Sequence, residues 1–110
     1  MAFDSNLAER IRKQLAQQKG LTEKKMFGGI GFLLNGNMCC GVLGAEVIIR
    51  LDPEQTDKAL TNKHTRIFDF SGRPMKGWIF VGTQAVETES DLKHWLQIGL
   101  KYVKSLPTKK

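Results

Sequence analysis

Histidine and cysteine are scarce in this sequence, with two of each, and neither pair stands at a metal-type spacing. Cys39 and Cys40 are adjacent, and His64 and His94 lie far from each other and from the cysteines. A zinc site of the usual local spacing is therefore excluded. Adjacent strand residues point to opposite faces, so the thiols are predicted to be reduced and unable to bridge easily. At least one is expected to act as a small core residue. No apolar run approaches the ~20 residues needed to cross a bilayer. The opening MAFDSNLAERIRK has no apolar core ahead of a small-residue cleavage site. No signal peptide, no membrane and a cytoplasmic location are the expectation. There is no G-x-S-x-G elbow, and nothing beside Cys40 would activate a thiolate. These absences predict a non-enzyme with no catalytic residues, no metal and no cofactor.

What is present is positive charge and a regular apolar pattern. The 110 residues suit one domain, 1–110. The net charge of +6 suits an acidic protein surface, a nucleic acid or plain solubility. The cations are scattered, without an arginine-rich arm.

Residues Phe3 to Lys19 read as an amphipathic helix through Leu7, Ile11 and Leu15, with Asp4 or Ser5 as cap and Gly20 as C′ glycine. Lys24 to Leu51 reads as three strands, with turns at Asn35-Gly36-Asn37 and Gly44-Ala45. LDPEQ opens a short helix, with Asp52 as cap and Pro53 in the first turn. Two strands follow, around Arg66 to Phe70 and Trp78 to Val81. A last helix from Ser90 to Leu106 carries Leu92, Trp95, Leu96, Gly99, Val103 and Leu106 on one stripe. The predicted class is α+β: two layers, a five-stranded antiparallel sheet, order α-β-β-β-α-β-β-α.

MFGGIGF, residues Met26 to Phe32, has the spacing of neither a dinucleotide fingerprint nor a P-loop, and no helix follows it. It reads as a strand. A three-residue loop through Asn37 would place Met38, Cys40 and Val42 with Ile30, Phe32 and Leu34, and set Gly31 against Gly41. The glycines imply either close approach of another backbone or a bend in a curved sheet. Asp69 is expected to pair with Arg66 or Arg73. Lys24, Lys25, Arg73 and Lys76 would form one basic rim if their strands neighbour, with Trp78 close by. Such a rim could hold an acidic partner or a nucleic acid backbone.

KKMFGGIGFLLNGNMCCGV and DFSGRPMKGWIFV together resemble the N-terminal domain of the TfoX/Sxy family of competence regulators. The motif residues are Met26, Phe27, Gly28 and Gly29, then Pro74, Met75, Gly77 and Trp78. The resemblance implies a secretion-chaperone-like α+β fold and a role in transcriptional co-activation, and supplies no catalytic residues. Full-length members carry a second, helical domain; this chain is read as the N-terminal one alone. The favoured reading is a regulatory domain that binds a protein partner, with the transcription machinery as a candidate. A weak, non-specific nucleic-acid binder and a small thiol enzyme or ligand carrier are the alternatives. The sequence also allows a homodimer.

Overall fold

Helices cover one face of an antiparallel sheet. The structure, a computed structural model, describes residues 3–26, 28–70 and 73–107, and for Met26, Phe70, Arg73, Pro74 and Met75 the backbone only. Phe27 of the first motif lies outside the described residues.

Helix α1 (Ser5–Gln14) starts at Asp4, whose Oδ1 accepts the N–H groups of Asn6 and Leu7 at 2.9 and 3.1 Å. It ends at Gln14, so Gly20 is not its C′ residue; Gly20, at φ 79°, instead turns the chain into the first strand. Strands β1 (Leu21–Met26), β2 (Gly29–Leu34), β3 (Asn37–Leu43) and β4 (Glu46–Arg50) form a meander. A 3₁₀ turn at Pro53–Gln55 leads into the short helix α2 (Thr56–Ala59). Strands β5 (Thr65–Phe70) and β6 (Arg73–Val81) follow, then helix α3 (Glu89–Lys104). The Thr88 Oγ1 caps α3 by accepting the Asp91 N–H at 3.0 Å. The sheet order is β1-β2-β3-β4-β6-β5, with every pairing antiparallel.

The sheet therefore has six strands, not the expected five, and the element order gains a strand before α2. The stretch expected as one strand through MFGGIGF is a hairpin. Gly28 has φ 79°, which reverses the chain between β1 and β2. Strand β1 escapes a periodicity search because Thr22, Glu23, Lys24 and Lys25 are all exposed at the sheet edge. Lysine there blunts unwanted edge pairing.

The second hairpin reaches the expected pairing by another route. Asn35 and Gly36 have φ of 53° and 85°, as a two-residue type I′ turn requires. Gly31 pairs with Gly41 and Phe32 with Cys40, but Leu33 pairs with Met38. Cys39 is the extra residue of a β-bulge, which shifts the register. Bulging brings the two thiols together rather than apart. Both cysteines are 1% exposed and their Sγ atoms are 3.7 Å apart. The neighbouring Cys39 sulfur, together with burial, pushes the Cys40 thiol well up.

Two of the glycines are explained by close approach of another backbone. A Cβ on Gly29 would lie 2.2 Å from the Val42 carbonyl oxygen, and one on Gly41 would lie 2.6 Å from that of Ile30. The close backbone belongs to the neighbouring strand of the same sheet.

The predicted core residues Leu7, Ile11, Leu15, Trp95, Leu96 and Val103 are all buried, against Phe32, Ile49 and Ile79 of the sheet. Each such side chain contributes about 1.5–3 kcal/mol relative to exposure. Gly99 lets α3 settle onto the bulge, since a Cβ there would lie 2.7 Å from the Cys39 carbonyl oxygen. A second cluster, Ile48, Phe68 and Phe80 with Trp78, Met38 and Leu43, contains no helix residue.

Candidate functional site

A groove of about 950 Å³ runs between the α2 segment and α3. Leu51, Ala59, Trp95, Ile98 and Tyr102 supply its apolar lining. Asp52, Lys58, His64, Asp91, His94 and Lys101 supply its charged and titratable groups.

Local sequence builds each wall. Asp52 accepts the Glu54 N–H at 2.9 Å and starts the 3₁₀ turn. Thr56, 1% exposed, then turns its hydroxyl inward to accept the Gly77 N–H at 2.9 Å. The Leu51 N–H donates to the Gly77 carbonyl at 2.9 Å. Gly77 has φ 94°, which favours glycine, and a Cβ there would meet the Leu51 oxygen at 3.2 Å. The P-M-x-G-W motif thus ties the sheet to the α2 wall. Its last residue, Trp78, pairs with Arg50 of β4. On the α3 side His94 meets Trp95 edge-on, with ring centroids 5.5 Å apart.

Arg50 lies beside this groove. Its guanidinium carbon is 5.2 Å from the centre of the Trp78 ring and 5.6 Å from that of Tyr102. Both distances are within cation–π range. Tyr102 therefore both lines the groove and contacts Arg50.

The expected basic rim is not assembled. Lys24 and Lys25 lie on the edge strand β1, while Arg73 and Lys76 lie on β6. The two strands are separated by β2, β3 and β4, four steps of ~4.8 Å or about 19 Å of sheet. The register widens the gap. Lys24 aligns through Gly31, Gly41 and Ile48 with Phe80, whereas Lys76 sits beyond Trp78 at the other end. Lys76 approaches Asp57 at 3.9 Å. Arg66 pairs with Glu46 rather than Asp69, because β5 and β4 flank β6 and bring Glu46 within reach. The Arg73 side chain lies outside the described residues.

Sequence reading set His64 and His94 apart and left out Arg50 and Tyr102. The groove joins both histidines to Tyr102 because α2 and α3 face each other across it. No local spacing reports that. The one available signal was the LDPEQ cap, which places a helix directly after Arg50.

The family model for the TfoX N-terminal domain matches residues 13–102. The chain belongs to that family. It is not a known enzyme family. The matched span contains both glycine motifs, Arg50 and most of the groove. No curated protein and no solved structure matches the chain.

Among the described residues no helix is long and apolar enough to cross a membrane. No group of three or more His, Cys, Asp or Glu among them could hold a metal ion.

Proposed function

We propose that this TfoX N-terminal domain is a non-enzymatic regulatory module that binds a protein partner in the groove between α2 and α3. The observation that carries the reading is the groove's composition. It offers Trp95, Ile98 and Tyr102 as apolar contacts, with exposed Lys58 and Lys101 at its sides. Aromatic anchors surrounded by polar groups are what protein interfaces use. Family membership supports a regulatory role, and the resemblance to competence regulators supports transcriptional co-activation as the process served. We place the partner in the transcription machinery and the domain in the cytoplasm.

A photo-crosslinking amino acid at His94, exposed in the groove, tests the reading in cells. The same group at Lys19, which does not line the groove, is the control. Protein adducts from His94 and none from Lys19 are expected. Adducts to nucleic acid, or equal protein adducts from both positions, would sink the proposal.

A weak, non-specific nucleic-acid contact is the second reading, favoured by the net charge of +6 and by exposed Lys24 and Lys25 on β1. Such binding falls steeply between low and physiological salt and shows no sequence preference. Binding to competence-type promoter DNA that exceeds binding to scrambled DNA at physiological salt would defeat it as stated.

A further inference from the structure

Four of the five arginines have described side chains, and three of these four are matched to a glutamate. Arg10 donates to Glu89 at 2.6 Å, Arg12 to Glu23 at 2.7 Å, and Arg66 pairs with Glu46. Arg50 is the exception. Among the described residues it has two aromatic rings and no carboxylate. Ring contacts orient a guanidinium without using its N–H donors. Arg50 is half-buried at the end of β4, so its fork is held in place yet reachable.

We infer that Arg50, positioned by Trp78 and Tyr102, is a carboxylate receptor for an acidic peptide segment of the partner, whose apolar side chains lie in the adjoining groove. The inference rests on the groove reading above and names the partner's chemistry.

Charge complementarity selects the occupant. Lys58 and Lys101 line the groove with no ion pair among the described residues. Asp91 and Asp52 balance them, so the surplus positive charge at the groove is that of Arg50 beside it. A planar fork matches a carboxylate through two parallel N–H···O bonds, which lysine cannot reproduce. Trp95, Ile98 and Tyr102 reward an apolar side chain next to that carboxylate, which a bare phosphate backbone lacks. Arginine, tryptophan and tyrosine are also the residue types that dominate binding energy at protein interfaces.

A short synthetic peptide alternating glutamate and leucine is the probe, titrated at physiological salt against the full chain. A single-stranded oligonucleotide of equal charge runs in parallel. Arg50→Lys keeps the charge and loses the fork. It should weaken peptide binding about tenfold or more, as expected for a charge-assisted pair. Lys24→Gln with Lys25→Gln, on the edge strand β1 away from the groove, should leave it within about twofold of the parent, since distant exposed charges contribute little. In the unaltered protein the Arg50 Nε–H resonance should shift as peptide is added, which needs no variant to fold.

Peptide binding that is equal in Arg50→Lys, with no shift of that resonance, would overturn the Arg50 assignment and leave the groove reading standing. Oligonucleotide binding that is tighter and depends on Arg50 would overturn it in favour of a phosphate. Absence of peptide binding would also overturn it, while the His94 crosslink decides separately whether the groove engages a protein.

Discussion

Gly29 and Gly77 belong to the two glycine motifs of the sequence, and both sit where a side chain does not fit, but against different neighbours. At Gly29 the obstacle is a carbonyl of the adjacent strand, so this glycine serves the close approach of β2 and β3 within the sheet. At Gly77 the obstacles are Leu51 and Pro53, at the join between β4 and the α2 wall. One motif shapes the scaffold. The other aims the scaffold at the groove and sets Trp78 beside Arg50. Similar sequence signals, a glycine within a short motif, thus report two different physical demands.

Gly29→Ala is the largest expected break. The added Cβ would sit 2.2 Å from a backbone oxygen, and only a shift of β2 against β3 could relieve it. Overpacking of this kind costs about 3 kcal/mol at its upper typical range. Chemical denaturation should show the loss with binding per folded molecule unchanged. A midpoint within error of the parent would remove close strand approach as the reason for this glycine.

Gly77→Ala should cost somewhat less, about 2 kcal/mol, because a positive φ is strained for alanine while the contact at 3.2 Å is milder. Its signature is a combined effect. Stability and acidic-peptide binding should fall together, since Trp78 follows directly. Full peptide affinity in a destabilised Gly77→Ala protein would disconnect the motif from the groove.

Thr56→Val sharpens the same contrast with a nearly isosteric change. The Gly77 N–H loses its acceptor in a buried place, at a cost of about 1–2 kcal/mol. The expected readout is faster amide exchange at Gly77 and no change at Gly29.

These differences also explain what was legible in the sequence. The helix stripes were, because Leu7, Ile11, Leu15, Trp95, Leu96 and Val103 each face one common core at helical spacing. Gly31 against Gly41 was legible too, because burial permits one register. The route to that register was not. A three-residue loop and a two-residue turn with a bulge produce the same pairing near Gly31, and only Asn35-Gly36 hinted at the second. The bulge then reversed the expectation for Cys39 and Cys40, since strict alternation holds only in an unbroken ladder. Strand β1 was invisible for the opposite reason: an exposed edge strand has no buried face to leave a pattern. The groove depended on which strands neighbour. Inserting β6 between β4 and β5 moved Trp78 next to Arg50 and moved Lys76 away from Lys24, and no local pattern encodes that choice.

The smallest expected effect lies at the scaffold end and depends on pH. Arg12 donates to both carboxylate oxygens of Glu23 at 2.7 Å, joining α1 to β1. That pairing holds the Glu23 carboxyl below its ordinary value and raises the Arg12 guanidinium above its own. A carboxyl lowered in the folded state adds stability above its unfolded value of ~4.3 and loses it as pH falls through the lowered one. Arginine stays charged throughout this range. The pair is partly exposed to water, so its whole contribution is about 0.5 kcal/mol, or ~3 °C in melting temperature. Glu23→Gln should therefore melt slightly below the parent at neutral pH and converge with it as the solution is acidified below about pH 4. Residual slope in the variant belongs in part to Glu89, which Arg10 and Gln14 hold low in the same way. Peptide binding should not change, because Glu23 lies on the edge strand far from β4 and β6. A Glu23→Gln protein that keeps the parent's full acid sensitivity would show that the α1–β1 tie contributes nothing to folding. One that loses peptide affinity would show that the scaffold end and the groove end are coupled after all.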